Sequence, residues 1–372
     1  MPSKKQREIA LVFPIWDSPS AELMQGINAY KPKGGEWILN VPPDPASLSL
    51  RRLKGWPGDG VIALLNSRAD IKAAKEIGIP VVNLSGMVRD TGLPRVTPDY
   101  EALGRMAARH LLECGFRRFG YYGLKNLWFS QQRRDGFMRE IAETGGECSV
   151  LEVAESSSKP KPWNHWIDPL EQWLAKLRPP VGILAVHDLR ARTVIDVCRR
   201  MQLAVPNDVA VMGVDNDHVA CELSPIPISS VGRNNRKAGY EAAALLDRLM
   251  NGHKPPAAGI LIEPGDVICR RSTDVLILDD EYITASVQYI REHIEEPFGV
   301  ERLLKVVPVS RRWLEIRFKQ CLDCSPLEYM RRVRVERAKE LLSGVQPLRM
   351  SAIAQGAGFT DAAHFRKVFL RV

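Results

Sequence analysis

Cysteine is scarce in this chain. There are seven in 372 residues, they are scattered, and Cys321 and Cys324 form the one close pair. No second pair completes a zinc set, so neither a metal site nor a disulfide framework is expected, and the thiols read as reduced, as in a cytosolic protein. No run approaches the roughly 18 apolar residues that a membrane span needs. The apolar run Ile9–Phe13, behind a polar and charged start, is too short and too strand-like for a signal peptide. The phosphate-cradling P-loop, the G-x-G-x-x-G fingerprint, the G-x-S-x-G elbow and the H-E-x-x-H zinc helix are all missing. An enzyme is therefore not expected, and neither is a cofactor.

Excess charge of one sign is also absent from most of the chain. Residues 300–372 carry 15 Lys+Arg against 7 Asp+Glu, which leaves 37 of each sign in the preceding residues. The whole net charge of +8 thus lies in the last fifth. A solvated helical face explains basic residues but not this segregation, which is what a nucleic-acid surface requires.

That same fifth contains one pattern twice. The first copy runs Val300 to Val307, a turn at Pro308-Val309-Ser310, then Arg311 to Lys319. The second runs Met350 to Ala357, a turn at Gly358-Phe359-Thr360, then Asp361 to Phe369. Leu303, Val307 and Val309 match Ile353, Ala357 and Phe359, and Leu314 and Phe318 match Phe365 and Phe369. Each copy reads as a short helix, a tight turn and a second helix with an apolar stripe, the sequence form of a helix-turn-helix. The exposed side of the first recognition helix offers Arg311, Arg312, Glu315 and Arg317, with Lys319 a turn further on. The second offers Asp361, His364, Arg366 and Lys367. Arginine can pair with guanine and lysine can neutralise phosphate. Between the copies, Ser325 to Leu342 reads as a helix capped by Ser325 with Pro326 at its first position. About 17 residues make a rod on the order of 25 Å, a spacer able to hold two recognition helices about one DNA turn apart.

This duplicated motif, with its Gly-Phe turn in the second copy, resembles the DNA-binding domain of the AraC/XylS regulators. By position, the resemblance implies a base-reading face on Arg311, Arg312, Glu315 and Ile316, then on Ala362, Ala363, Arg366 and Lys367. The family continues into a short closing helix where this sequence stops at Val372.

From Glu8 to about Thr273 short β-rich runs alternate with helical stretches. The runs are Ile9–Phe13, Val61–Leu65, Val81–Leu84, Phe119–Tyr122, Ile183–Val186 and Val209–Val214. The helices are Ala21–Tyr30, Ile71–Ile77, Tyr100–Glu113, Arg133–Glu143, Pro169–Leu177, Leu189–Met201 and Asn235–Met250. This is the pattern of parallel sheet with βαβ crossovers, and its length predicts two α/β lobes. Glu155–Pro162 reads as an exposed loop. Several strands end in polar residues: Pro14-Ile15-Trp16-Asp17, then His187-Asp188, then Asp215-Asn216. In open α/β sheets ligands sit beyond the carboxyl ends of strands. Asp188 and Asp215 there can accept from vicinal hydroxyls, Trp16, Trp128 and Phe129 can pack on the apolar face of a sugar ring, and Arg133 or Arg134 can donate. Each aspartate also fits a helix N-cap, since Asp188 precedes a helix start.

This part resembles the effector-binding core of the LacI/GalR repressors, itself like a type I periplasmic sugar-binding protein. The residues that carry it are Val96 to Tyr100, Gly104, Ala107, His110 to Gly120, Arg133, Gly136-Phe137, His187-Asp188, Pro206 to Asn216 and Gly239 to Ala243. The resemblance implies ligand contacts at Arg133, the His187-Asp188 pair and Asp215, with His187 standing where that family commonly has Asn. Their N-terminal DNA-binding headpiece is not expected, since the first strand begins by residue 9. The pairing of such a core with an AraC-type domain resembles the xylose-operon activators. That resemblance implies an α/β sensor of two lobes, residues 1–271, a linker at 272–281 and an all-α domain at 282–372 with two helix-turn-helix motifs. It implies a cytoplasmic regulator of double-stranded DNA, with D-xylose as effector, a homodimer, and RNA polymerase as a further partner. A sugar-binding protein without DNA binding and a carbohydrate-processing enzyme are the alternatives.

Overall fold

The computed structural model describes residues 6–14, 18–30, 36–41, 50–154, 164–256, 258–275, 280–343 and 348–369. Trp16, Asp17 and the expected loop Glu155–Pro162 lie outside them, as does part of the expected linker, 276–279. The chain divides into two units, Met1–Asp274 and Val275–Val372.

In the first unit the elements run β1 (Glu8–Val12), α1 (Ser18–Ala29), β2 (Ile38–Asn40), β3 (Gly60–Ala63), α2 (Arg68–Glu76), β4 (Val81–Asn83), β5 (Val96–Pro98), α3 (Tyr100–Glu113), β6 (Arg118–Leu124), α4 (Trp128–Ala142), β7 (Glu147–Val153) and α5 (Asn164–Leu174). They continue with β8 (Val181–Ala185), α6 (Asp188–Arg200), β9 (Val209–Asp215), α7 (His218–Glu222), β10 (Ser229–Arg233), α8 (Asn235–Met250), β11 (Ile260–Ile262) and β12 (Pro264–Ile268). One lobe holds the parallel sheet β2-β1-β3-β4, and the other holds β12-β10-β9-β8-β6-β7, parallel except for β12. The central strands are continuous apolar runs because both faces are covered: Val209 to Val214 are all buried.

The chain passes between the lobes three times. Strands β5 and β11 pair in parallel beside the first lobe, where Val96 and Ile262 join its core with Ile9, Leu11 and Leu246. The passages are β5 to α3, β10 to α8 and β11 to β12. Asp99 sits at the first, its carboxylate accepting from Ala102 N at 2.9 Å to cap α3 and its N–H donating to Ile262 O at 2.8 Å. From that cap, Leu103, Ala107 and Leu111 recur at helical spacing and are fully buried. Helices α3 and α4 cross backbone to backbone: a Cβ on Gly136 would stand 2.1 Å from Glu101 O, and one on Gly104 2.0 Å from Arg133 O. That close approach fixes the height of Arg133 in the lobe.

The six expected strands occur within two residues of their expected ends. Strands β2, β5, β7, β10, β11 and β12 were not among them. They are short, lie at an edge, or carry serine and glycine, so no apolar run marks them. Helix α4 begins at Trp128, five residues before the expected start. The expected sensor boundary at 271 also falls short. Ser272 and Thr273 are buried, and Ser272 Oγ donates to Val211 O at 2.6 Å and accepts from Ser229 N at 2.8 Å. These two residues are part of the second lobe.

The second unit is helical: α9 (Glu281–Glu292), α10 (Val300–Leu303), α11 (Arg311–Leu322), α12 (Pro326–Ser343), α13 (Met350–Gly356) and α14 (Ala362–Phe369). Two small cores stand side by side. Ile283, Val287, Ile290, Leu303, Val307, Leu314 and Phe318 build the first. Ile353, Ala354, Ala357, Phe359, Phe365 and Val368 build the second. Helix α12 serves both, Tyr329 and Met330 on one side, Val335 and Ala338 on the other. Its apolar residues are thus divided between two cores, and Leu342 is exposed.

Candidate effector cleft and nucleic-acid interface

Asp215 ends β9, and both it and Asn216 have positive φ, +110° and +51°. A non-glycine residue there stores backbone strain of order 1–3 kcal/mol, which its surroundings must over-determine. The over-determination comes from Asp188, 1 % exposed, whose Oδ2 accepts from Asp217 N at 2.7 Å and whose Oδ1 accepts from Ser230 Oγ at 2.6 Å. Ser230 Oγ in turn accepts from Asn216 N at 3.0 Å. Burial, with Asp215 nearby, pushes the Asp188 carboxyl up to about 7. Asp188 does not line the cavity described below, so the expected hydroxyl acceptor is instead the post that holds the Asp215 turn. Nor is Asp188 the helix cap: His187 is, its Nδ1 accepting from Arg190 N at 3.3 Å. Burial lowers the His187 pKa to about 4 against the pull of Asp215, so the ring is neutral and its proton lies on Nε2.

Arg133, from α4, is 2 % exposed. Its guanidinium donates to Val186 O and, through NH2, to Asp215 Oδ1 at 2.9 Å, and it lies over the rings of Tyr100 and Phe129 at 5.5 and 5.4 Å. Its Nε has no partner among the described residues. Arg233, at the end of β10, approaches the same Oδ1 with Nε at 3.1 Å. Burial would raise the Asp215 pKa, but Arg233 and then Arg133 outweigh it and hold the carboxyl below the usual carboxylate range. Both arginines use Oδ1. Oδ2 accepts nothing from the described residues, and Asp215 is part of the wall of a cavity of about 230 Å³. Leu64, Leu84 and Pro98 line it from the first lobe and the passages, Asp215, Asp217 and Arg233 from the second.

The expected residues do not all meet there. Trp128 gives its ring face to Arg95, 4.2 Å from the ring centroid, and Phe129 packs on Arg133 and Tyr100. Their backbone N–H groups donate to Met87 O and Gly86 O at 3.3 and 3.0 Å, tying one lobe to the other. Neither ring lines the cavity. Arg134 is taken up by Asp135 and Glu152. Arg233 and Pro98 were missed because they end β10 and β5, strands without an apolar run to mark a carboxyl end.

In the helical unit, Ser310 caps α11, accepting from Trp313 N at 3.2 Å, and Leu314 and Phe318 turn inward. Arg311, Arg312, Glu315, Ile316 and Lys319 are left exposed on the outer side. Arg317 is different: its Nε donates to Asp280 Oδ2 at 2.7 Å, and Asp280 is the N-cap of α9. It is held as an internal tie, not presented with the others. Lys319 reaches Asp323 at 2.7 Å at the helix end. In the second copy Asp361 accepts from His364 N at 2.7 Å, and Ala363, His364, Arg366 and Lys367 are exposed, Ala362 half-buried. Gly358 makes the turn before it, at φ +73°, with its Cα against Ile294 O: a Cβ would come within 2.0 Å. Arg334 of α12 is buried beside it and donates through NH2 to Glu296 O and Phe298 O at 3.0 and 3.3 Å. The two motifs are thus locked to one helix.

A two-lobed sensor ahead of a pair of helix-turn-helix motifs defines a ligand-responsive transcription regulator. Residues 96–273 match the periplasmic binding protein-like domain family, and residues 303–372 match a helix-turn-helix domain family. The xylose operon regulatory protein of Escherichia coli (strain K12) is 31 % identical over 373 residues, covering 98 % of this chain and 94 % of its own. Its counterpart in Haemophilus influenzae is 30 % identical over 321 residues, 84 % and 81 % of the two chains. A solved structure of the xylose-binding transcription activator xylR superimposes with a TM-score of 0.73 at 29 % identity, covering 99 % of this chain and 95 % of that one. The chain belongs to the family of xylose operon regulatory proteins. It is a regulator, not an enzyme. No described helix is long and apolar enough to cross a membrane.

Proposed function

We propose that the chain is a cytoplasmic, D-xylose-responsive activator. The observation that carries this is the cavity chemistry at Asp215. A strained carboxylate that lines a space of about 230 Å³ is pinned through one oxygen by two arginines, and its other oxygen has no partner among the described residues. That space is below the roughly 300–1,000 Å³ of drug-sized sites and suits a monosaccharide. The charged residues that line it are Asp215, Asp217 and Arg233, and Arg133, buried behind the wall, pairs with Asp215, so no surplus of cations is left for a phosphate or an acid and a neutral polyol is favoured. The relatives' names supply the particular sugar. Sugar in the cavity favours the closed arrangement of the lobes to the extent that it binds that arrangement more tightly. Residues 275–279 serve as the link that passes this on to the DNA-binding domain. A homodimer is supported by Leu189, Val219 and Leu223, large apolar side chains left exposed on α6, on α7 and just past its end, and RNA polymerase is the partner at the promoter. Calorimetric titration with D-xylose, L-arabinose, D-ribose and D-glucose tests the effector: D-xylose binds with the highest affinity, and heat of binding from another sugar but none from D-xylose would reject it.

A further inference from the structure

Helix α11 carries one acid, Glu315, and places it on the exposed side among cations. Its side chain is 48 % exposed and does not stand free. Arg311, one turn back, donates from Nε to Glu315 Oε1 at 3.0 Å. The same guanidinium donates from NH1 to Glu301 Oε1 at 3.0 Å, and Glu301 belongs to α10, the first helix of the motif. The chain Glu301–Arg311–Glu315 thus fixes the Glu315 carboxylate by one oxygen and leaves Oε2 without a partner among the described residues. The other exposed residues on the same side are Arg312, the uncharged Ile316 and Lys319, whose ammonium is taken up by Asp323 at 2.7 Å.

A carboxylate facing a polyanion is repelled unless a base donates to it. In the major groove two bases present an amine. Adenine sets its N6 amine beside the N7 acceptor, which repels a carboxylate. Cytosine presents its N4 amine with no adjacent acceptor of its own, and is the base that Glu accepts from. Arg311 lowers the repulsion by partial neutralisation and, through Glu301, is itself anchored to a second helix, so Glu315 enters the groove already oriented.

Resting on the reading of α11 as a recognition helix, we propose that Glu315 is a specificity-determining residue that selects a cytosine through its free Oε2, with Arg311 and Glu301 as positioning residues. The operator half-site read by α11 therefore contains one position where cytosine is required, not merely tolerated. Arg312 reads a different position.

The test uses the full chain on duplexes selected from a randomised pool, followed by competition with duplexes carrying each base at each position. Wild type prefers cytosine at one position by about 5- to 150-fold, the range of one good base contact. Glu315→Ala loses that preference alone, binding all four bases there alike while selection elsewhere is kept. Replacing that cytosine by N4-methylcytosine, which keeps one N4 hydrogen for its guanine and puts a methyl group in the groove, weakens wild type and leaves Glu315→Ala unaffected. Glu301→Gln keeps cytosine as the preferred base and narrows the ratio, which loss of a merely structural contact would not do. If Glu315→Ala keeps every preference while Arg312→Ala loses one, α11 is the recognition helix and Glu315 only a partner for Arg311, so the proposal fails. If neither variant changes any preference, both the proposal and the reading of α11 fall.

Discussion

Asp215→Asn keeps the shape of the side chain and removes its charge. Two guanidinium groups then face a neutral amide: Arg133, 2 % exposed and 2.9 Å away, and Arg233, 23 % exposed and 3.1 Å away. Removing one partner of a buried ion pair costs roughly 3–5 kcal/mol. The Asn carbonyl still accepts one hydrogen bond, and the Arg233 arm is partly wetted and screened, so about 2–3 kcal/mol is expected. At roughly 2–4 °C per kcal/mol for a domain of this size, the sensor's melting transition falls by about 4–12 °C in the absence of sugar. The Asp215 pKa is lowered in the folded state. The stability it contributes is therefore complete above its unfolded value, near 4, and is lost as pH falls through the lower folded value. The gap between wild type and variant closes in that acidic window. Sugar at a hundred times its dissociation constant adds about 2.7 kcal/mol to wild type. It adds nothing measurable to the variant, whose sugar acceptor has become an amide. Differential scanning calorimetry of the full chain with and without D-xylose reads both effects. A variant that melts with wild type and still rises with sugar would refute the assignment of this carboxylate as both strut and ligand acceptor.

His187 and Asp188 are shifted in opposite senses. His187, lowered to about 4, withdraws stability as pH falls from about 6.5, and Asp188, raised to about 7, adds stability over nearly the same window as it takes up its proton. His187→Asn keeps a good cap and removes the first effect, so this variant gains melting temperature relative to wild type as pH falls from 6.5 to about 4.5. A parallel pair of fluorimetric melting curves against pH would contradict this. In the DNA-binding domain, Gly358→Ala adds a Cβ 2.0 Å from Ile294 O at φ +73°. It should cost at least about 1–3 kcal/mol locally and weaken DNA binding several-fold or more in a fluorescence anisotropy titration, while sugar binding by calorimetry is unchanged. Equal loss of both would place the damage elsewhere.

Local sequence chemistry determined much of this protein. Continuous apolar runs such as Val209–Val214 mark strands covered on both faces, and the Asp99 cap followed by Leu103, Ala107 and Leu111 marks α3. The twin helix-turn-helix was legible because its buried positions repeat: Leu303 with Ile353, Val307 with Ala357, and Leu314 with Phe365 are all buried. Charge segregation, a property of composition, already separated sensor from DNA-binding domain. What a side chain does with its charge was decided by tertiary structure, because an ion pair depends on which distant group folds beside it. Asp188 and Asp215 look alike at two strand ends, yet one is sealed under Ser230 and the other opens to the cavity because Arg133, 82 residues away in sequence, takes one of its oxygens. Arg317 reads as a DNA contact until Asp280 appears next to it, and Arg233 carries no signal until the short strand β10 is paired with β9. Periodicity reports which residues face a core, whereas the partner that a polar group finds across the fold is set only when the chain has closed.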